Sequence, residues 1–480
     1  MTKPYLLGLL GAGLLAFRPA APTPPVEPLK AQAMQELQAH YADYRQLAQR
    51  IWGFAEVGYK ETQSSALLQK TLRDHGFAVQ AGVAGIPTAF VATYGSGQPV
   101  IGILAEFDAL PGLAQQAVAT KTPIAGQDAG HGCGHNLFGT ASVATGLELQ
   151  KLLKEGKLHG TVKVYGCPAE EGGSGKVYMV RAGLFNGVDA VVHWHPGSAN
   201  GTMAGKYIAN SSAKFRFRGI AAHAAGAPER GRSALDGVEA MDNMVNMMRE
   251  HVPQETRIHY VITNGGKAPN VVPDFAEVYY YVRHPDRAIV QAVFERVVKA
   301  AEGAALGTGT TMDYEIVGGT HDLLLNETLA HALQTNLEQV GGVTYTPEEV
   351  AFGQQIQASL GAPAPPVAQA AVVEPYSAHD LGGSSDVGDV SYVVPTVGLT
   401  AATWIPGTPA HSWQAVACSG KEIGTKGMMV AAKTMTLTAI DLFTSPELLD
   451  KAKIELKQKV GGYVYKPLLG DRKPALNYRD

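Results

Sequence analysis

Cysteine is scarce in this chain, with only Cys133, Cys167 and Cys418 among 480 residues. A small, odd number of cysteines argues against a disulfide framework and leaves at least one thiol free for chemistry. Charged residues are also few, at 17%, and the net charge of -4 shows no basic excess. Because no cluster of lysine and arginine interleaves with aromatic residues, nucleic acid is excluded as an expected partner. The composition favours a small-molecule or peptide substrate.

Long hydrophobic runs are lacking as well. Residues Met1–Phe17 combine an early lysine with an apolar run that is too short to span a bilayer comfortably, as in an export signal. We expect cleavage among Arg18–Pro25, although an uncleaved N-terminal anchor is an alternative. The prolines that follow predict a stiff linker, so residues 1–30 are assigned to signal and linker. The mature protein is then expected in the periplasm or outside the cell, without stable membrane insertion.

The pattern of predicted elements indicates an α/β protein with two domains, as expected for a chain that is 45% hydrophobic and 480 residues long. Strands alternate with helices through residues 31–207, which predicts a mostly parallel sheet covered on both faces. Residues 208–322 have the order βαββαβ of a ferredoxin-like unit, inserted into the larger domain. Residues 323–480 return the chain to the first domain.

Hydrophobic periodicity gives approximate bounds for these elements. The predicted helices are Gln32–Tyr59, Gln63–His75, Gly139–Leu153, Lys176–Ala182, Ser233–His251, Ala288–Ala305, Asn326–Val340 and Lys421–Phe443. The predicted strands are Phe77–Gln80, Thr88–Thr93, Val100–Glu106, Gly160–Cys167, Ala190–His195, Ala213–Arg218, Ile258–Thr263, Glu277–Arg283, Thr311–Val317 and Thr396–Thr400.

A Gly-His-Gly-Cys-Gly-His-Asn motif occupies Gly130–Asn136. Its glycines let the backbone bend, so that Cys133 and His135, one residue apart, could bind the same metal ion. Taken alone, the motif is weak evidence for a metal site, because Cys133 of an exported chain could form a disulfide and a loop histidine is more often solvated than bound to metal. Further candidate ligands follow other predicted strands or stand alone near the end of the chain, namely Glu170, Glu171, His193, His195 and His411.

These candidates converge in an open parallel sheet, because ligands gather beyond the carboxyl ends of its strands. A set of cysteine, histidine and carboxylate ligands suits Zn²⁺ or Mn²⁺ and is wrong for Ca²⁺ or Mg²⁺. The adjacent Glu170 and Glu171 allow a division of labour, in which one binds metal and the other takes a proton from water. The alternative for such a pair is a solvated acidic turn.

Seven segments resemble motifs of the metallopeptidase family of aminoacylases and glutamate carboxypeptidases. They are Glu106–Leu110, Gly130–Asn136, Gly166–Lys176, Trp194–Pro196, Gly219–Ala225, Asn270–Pro273 and Ser385–Val390. The resemblance covers about residues 35–445 and is strongest to the amidohydrolase branch, whose substrates include p-aminobenzoyl-glutamate and indole-acetyl amino acids. It implies a homodimeric hydrolase of amide bonds to amino acids, with a metallopeptidase catalytic domain interrupted by a lid or dimerisation domain.

The resemblance also implies roles for individual residues. Two Zn²⁺ or Mn²⁺ ions per subunit would be held by Cys133, His135, Glu171, His195 and His411. Glu170 matches the general base, and His193, two residues before His195 on the same strand face, is the fallback ligand. Glu106 and Asp108 are interpreted as residues that orient the ligands. Where family members often have arginine, this chain has Leu104, which leaves the surroundings of Glu106 open.

Three further residues belong to the predicted lid domain. His223 resembles a histidine that reaches the partner subunit's site and steadies the oxyanion, and its alternative is a surface loop histidine. Asn270 and Arg283 resemble a pair that binds the substrate carboxylate. For Arg283, at a predicted strand end, an ordinary solvated charge is the competing interpretation.

The expected reaction is therefore metal-dependent hydrolysis of an N-acyl or N-aroyl amino acid, with Glu170 as the base. A metallo-dipeptidase or carboxypeptidase of the same fold is the first alternative. A cysteine hydrolase, with Cys133 as nucleophile and His131 or His135 as base, is a second and would be insensitive to chelators. A binding or zinc-storage module that lost catalysis is a third, and the intact Glu170 argues against it.

Overall fold

The computed structural model describes residues 26–378 and 382–479. The predicted export signal Met1–Phe17 lies outside these ranges. Within them, no helix is long and apolar enough to cross a membrane.

The chain forms thirteen α-helices and eleven strands within the described ranges, in three consecutive groups. The first group is α1 (Val26–Ala39), α2 (Tyr41–Phe54), α3 (Thr62–Asp74), β1 (Ala78–Ala81), β2 (Phe90–Ser96), β3 (Val100–Glu106), α4 (His135–Lys154), β4 (Gly160–Cys167), α5 (Gly175–Arg181), β5 (Ala190–Gly197) and β6 (Gly201–Thr202). The second is β7 (Ala209–Arg218), α6 (Ala234–Met248), β8 (Arg257–Asn264), β9 (Phe275–His284), α7 (Arg287–Thr308) and β10 (Thr311–Thr320). The third is α8 (Glu327–Val340), α9 (Pro347–Ala358), α10 (Val387–Ser391), β11 (Thr396–Ala402), α11 (Trp413–Ser419), α12 (Glu422–Thr444) and α13 (Pro446–Val460).

The first and third groups share one seven-stranded sheet of order β1-β2-β4-β3-β5-β11-β6. Its four central strands are parallel, whereas β1, β2 and β6 join antiparallel at the edges. β3 is a nearly continuous apolar run because both faces of the sheet are covered: Ile103 packs with the core around α4 and α12, and Leu104 packs with α5 and α10 on the other face. The predicted mostly parallel α/β fold is confirmed.

The second group forms a separate four-stranded antiparallel sheet of order β10-β7-β9-β8. Helices α6 and α7 pack on one face and enclose a core of their own, which includes Phe215, Phe217 and Tyr280. This order and connectivity are those of the predicted ferredoxin-like βαββαβ unit. The two cores are distinct because each sheet is covered by its own helices, the large sheet on both faces and the small sheet on one.

The structure differs from the predicted elements in several places. The predicted helix Gln32–Tyr59 is two helices, α1 and α2, with a turn at His40 across which the apolar spacing happens to continue. Pro28 lies in the first turn of α1 and not in an extended linker, since a helix tolerates proline where the backbone N–H needs no partner. The helices α9, α10, α11 and α13 and the two-residue strand β6 were not predicted.

Two glycines make a matched test of this packing. A Cβ at Gly166 in β4 would lie 2.1 Å from the Phe90 ring, whereas a Cβ at Gly53 in α2 would meet no atom within 4 Å. We expect Gly166→Ala to destabilise the protein by ~1–3 kcal/mol through overpacking. Gly53→Ala should stabilise it by ~0.5–1 kcal/mol, because alanine loses less backbone entropy on folding. Urea denaturation followed by circular dichroism measures both, and equal midpoints would contradict this account of the core.

Candidate metal centre

The Gly/His loop brings Cys133 and His135 to the first turn of α4. Gly134, at the N-cap, has a left-handed φ of 74°, and a Cβ there would lie 2.8 Å from Pro196. Only glycine fits both the backbone angle and this close approach. The close approach places Cys133 Sγ 3.4 Å from Nε2 of His195, the residue before that proline.

Three overlapping clusters of ligand-type side chains meet at this point. Within each cluster the donor atoms lie within 4.8 Å of one another. The clusters are Cys133 with His135 and His195, Cys133 with Glu171 and His411, and Glu106 with His135 and Glu170. Because Cys133 and His135 each belong to two clusters, the five predicted ligands and the predicted base form one connected site.

Asp108 joins the two loops that carry these groups. Its Oδ1 lies 3.0 Å from His135 Nδ1, and its Oδ2 accepts a 2.9 Å hydrogen bond from the backbone N–H of Glu171. A carboxylate on one imidazole nitrogen fixes the ring and directs the other nitrogen outward, as is usual behind a metal-binding histidine. His195 is fixed in a similar way, because its Nδ1 lies 2.7 Å from the carbonyl oxygen of Pro196 and its Nε2 faces Cys133.

Lys176 is a buried residue of the site that the sequence analysis did not assign. Its ammonium lies 2.6 Å from Glu106 Oε1 and 2.7 Å from Asp386 Oδ1, and all three side chains are buried. The ammonium supplies the positive charge beside Glu106, while Leu104 packs in the core. The only signal in the sequence was its place at the end of the motif Gly166–Lys176.

The neighbouring glutamates have opposite pKa shifts. Burial raises the pKa of Glu170 well above its usual range, and the negative charges of Glu106 and Glu171 add to this effect. Burial would also raise the pKa of Glu171, but the contact with His411 and the nearby charge of His135 together outweigh it and lower that pKa. Burial lowers the pKa of His195 to about 4, so the ring is neutral near pH 7, the form that binds metal. Such a division between adjacent carboxyls is typical of acid–base sites.

These residues fit a divalent metal on two observations. His135 Nε2 lies 3.1 Å from Glu106 Oε2, and Glu171 Oε1 lies 3.2 Å from His411 Nε2. His135 Nε2 and Glu171 Oε1 are buried, yet neither atom forms a hydrogen bond. Buried polar atoms without partners are rare unless a ligand satisfies them. The donor set of sulfur, imidazole nitrogen and carboxylate oxygen is also the one that Zn²⁺ and Mn²⁺ accept.

The candidate centre lies at the bottom of a cleft of about 660 Å³ between the two sheets. The large-sheet side contributes the metal-site residues, and the small sheet contributes Asn210 and Ser212 from β7 and Arg283 from β9. A cleft of this size, with polar groups converging on it, is a typical small-molecule site.

His223 and Asn270 lie elsewhere in the chain. The His223 ring accepts hydrogen bonds from the backbone N–H groups of Ala225 and Gly226, and Ala224 donates to the carbonyl of Asn270. Neither residue lines the cleft that contains Arg283. Within one chain, the structure therefore does not bring the predicted carboxylate-binding pair together, and the two lid residues form an exposed group of their own.

His193 is also outside the three clusters. Its ring is buried against Gly398, where a Cβ would lie 2.4 Å from Nε2, and both ring nitrogens lack a hydrogen-bond partner. Burial lowers its pKa to about 3, so the ring is neutral. The geometry places His195, and not the fallback His193, next to Cys133.

The chain is similar to several known proteins. The sequence profile of Peptidase family M20/M25/M40 matches residues 102–380. One subunit of the p-aminobenzoyl-glutamate hydrolase of Escherichia coli is 42% identical over 88% of this chain and 93% of its own length. The Xaa-Arg dipeptidase of Mus musculus is 29% identical over 93% of this chain and 97% of its own. A dinuclear metal-binding peptidase of Bacillus subtilis shares the fold, with a TM-score of 0.57 and 18% identity over 85% of this chain and 99% of its own.

Cys133→Ser tests the thiolate as a ligand. Because a neutral hydroxyl binds Zn²⁺ or Mn²⁺ more weakly than a thiolate, metal content after dialysis should fall, and activity should fall with it and partly return with excess metal. Cys418→Ser is the matched control, since Cys418 is also buried but belongs to none of the three donor clusters. Elemental analysis measures the metal content of both variants. Equal metal content in the two would contradict the assignment of Cys133 as a ligand.

Proposed function

We propose a specific reaction for this chain on the premise that it belongs to Peptidase family M20/M25/M40. The motifs predicted this family and its class of metal-dependent amidohydrolases and peptidases, and both predictions are confirmed. The proposed reaction is hydrolysis of the amide bond of an N-acyl or N-aroyl amino acid related to p-aminobenzoyl-glutamate. The observation that supports it is that Glu170 lies in one cleft together with the connected clusters of metal-ligand side chains.

Two divalent cations, Zn²⁺ or Mn²⁺, form part of the proposal. The residues that would hold them are Cys133, His135, Glu171, His195 and His411. When bound, such ions lower the pKa of water and polarise a carbonyl oxygen. The solved relative that is named a dinuclear metal-binding peptidase supports the number of two.

Glu170 performs the proton transfers in this proposal. Its carboxylate takes a proton from the attacking water and then gives a proton to the leaving amine nitrogen. The raised pKa suits this role, because it makes the protonated carboxyl, which must donate to the leaving amine, easier to form. Arg283, which enters the cleft from β9, binds the α-carboxylate of the amino acid.

A dipeptidase is the second candidate function. The observation in its favour is the similarity to an Xaa-Arg dipeptidase along almost the whole chain. The cysteine hydrolase is disfavoured, because burial raises the pKa of the Cys133 thiol well above its usual value. A nucleophilic cysteine needs the opposite shift.

Assembly and location complete the proposal. His223 would serve the partner's site in a homodimer, since it is exposed and lies outside the cleft of its own chain. The Escherichia coli relative, which is named as one subunit of a hydrolase, supports a second protein partner as an alternative. Residues Met1–Phe17 support export to the periplasm or beyond.

A hydrolysis screen tests the reaction. Metal-loaded protein is offered p-aminobenzoyl-glutamate, N-acetyl amino acids and dipeptides that include Xaa-Arg, and released amine is measured. We expect turnover of the acyl conjugates above that of the dipeptides. In Glu170→Gln, kcat should fall by ~10²–10⁴, because general-base assistance is lost, while metal content stays normal. Near-normal kcat in a metal-replete variant would contradict the role of Glu170, and turnover of dipeptides alone would favour the second function.

Mixing two inactive variants tests the shared site. In a dimer of one His223→Ala chain and one Glu170→Gln chain, one of the two sites takes Glu170 from the first chain and His223 from the second. For random exchange about half of the dimers are mixed, so roughly a quarter of wild-type activity should return, by the two-fold symmetry of the assembly. Subunit exchange is checked with differently tagged chains. If tags exchange and activity stays at parental levels, His223 acts within its own chain or has no role.

A further inference from the structure

The segment that follows α13, Gly461–Arg479, crosses both parts of the molecule and ends beside the candidate metal centre. Arg472 donates a 2.9 Å hydrogen bond to the carbonyl of Ile316 on β10 and also contacts the carbonyl of Val317. Farther along, Tyr178 of α5 donates to the carbonyl of Lys473. These contacts fix the path of the segment from the four-stranded sheet to the seven-stranded sheet.

Two consecutive residues of this segment bind one backbone oxygen at the site. Tyr478 Oη and Arg479 Nη2 both donate to the carbonyl of Glu171, at 3.1 Å and 2.6 Å. The Tyr478 ring also packs edge-on against Tyr59, with centroids 5.5 Å apart. Arg479 is therefore held next to the predicted ligand Glu171, and its side chain lines the cleft.

The cleft contains a second guanidinium, that of Arg283. The Nε atom of each arginine is buried and has no hydrogen-bond partner. Across residues 26–378 and 382–479, neither guanidinium forms an ion pair with a carboxylate, and Arg283 lies over the Tyr281 ring at 5.1 Å. A buried donor without a partner is costly, so each guanidinium has unused capacity to bind an acceptor from the cleft.

The acidic residues that line the same cleft already have other partners. Asp386 pairs with Lys176, and Glu171 faces His411. Glu170 belongs to a cluster with Glu106 and His135. Since none of these acidic residues pairs with Arg283 or Arg479, the positive charges of the two arginines are left for the ligand, and a ligand with one carboxylate would satisfy only one of them.

Building on the proposed function, we infer that Arg479 binds the side-chain carboxylate of the substrate, and that the substrates are N-acyl conjugates of acidic amino acids. Arg283 enters from the small sheet and takes the α-carboxylate that every amino acid has. Arg479 enters from the side of Glu171 and takes the second carboxylate, which glutamate and aspartate conjugates have and others lack. Arg479 is thus a specificity-determining residue and has no part in the proton transfers.

A pair of substrates that differ only in this group tests the inference. p-Aminobenzoyl-glutamate and p-aminobenzoyl-glutamine have the same length, but the second has a neutral amide in place of the side-chain carboxylate. We expect wild-type kcat/KM to favour the glutamate conjugate by roughly 10- to 100-fold, the range for a hydrogen bond to a charged group. Arg479→Gln should remove most of this preference by lowering kcat/KM for the glutamate conjugate alone. Arg479→Lys, which keeps the charge, should retain part of it.

Tyr478→Phe is the matched control, because it removes a hydrogen bond to the same carbonyl of Glu171 without changing a charge. Any effect of this variant should fall equally on both substrates. If Arg479→Gln also lowers both equally, Arg479 only anchors the loop of Glu171, and the inference is wrong. A wild-type protein that hydrolyses both conjugates equally well overturns it too.

A binding measurement separates this inference from the proposed function. The two conjugates are titrated by calorimetry into metal-loaded Glu170→Gln protein, with and without Arg479→Gln. If the glutamate conjugate binds more tightly and this preference depends on Arg479, the inference is supported even when the wild-type chain hydrolyses neither compound. Absence of hydrolysis would contradict only the proposed reaction. Equal affinity for the two conjugates overturns the inference whatever the rates are.

Discussion

The candidate metal centre depends on an ammonium group buried between two carboxylates. Lys176 contacts Glu106 at the end of β3 and Asp386 just before α10, and it also donates its backbone N–H to Asp386 at 2.8 Å. Burial opposes the charge of the lysine, but the two carboxylates outweigh it and raise its pKa. Without this ammonium two acidic side chains would be buried unpaired next to Glu170, at a cost that neither could recover from solvent.

Local backbone strain accompanies this arrangement on both sides of the cleft. Ala169, directly before the two glutamates, has a φ of 56°, and His411 has a φ of 57°. Side chains other than glycine rarely adopt this left-handed conformation, so the surroundings must hold it. Glu61 accepts the N–H of Ala169 at 2.8 Å, and the N–H of His411 donates to the carbonyl of Gly132 at 2.9 Å. These bonds direct the glutamates and the histidine toward one point.

The cleft brings together groups that reach it by separate routes. The seven-stranded sheet and its loops supply the clusters of metal-ligand side chains, the four-stranded sheet supplies Arg283, and the segment after α13 supplies Arg479. Opposing pKa shifts on Glu170 and Glu171 follow from burial and from the contact with His411. In the proposed reaction, the groups for recognition and the group for proton transfer therefore lie on different elements.

The sequence by itself determined the fold class, because alternating strands and helices have different hydrophobic periods and the βαββαβ order is local. It also indicated Cys133, His135 and the two glutamates, since ligand spacing and strand ends are properties of short stretches. Their grouping with His411, more than two hundred residues away, was implied only by resemblance to a family.

Only the tertiary structure decided the remaining features. Lys176 is part of the site because it pairs with Glu106 and Asp386. His195, and not His193, faces Cys133 because packing against Pro196 and Gly398 sets the directions of the two rings. Arg479 gave no signal in the sequence, since a lone arginine has no period or spacing to interpret. Its place in the cleft is determined by hydrogen bonds between residues far apart in the chain, and such contacts exist only once the fold has formed.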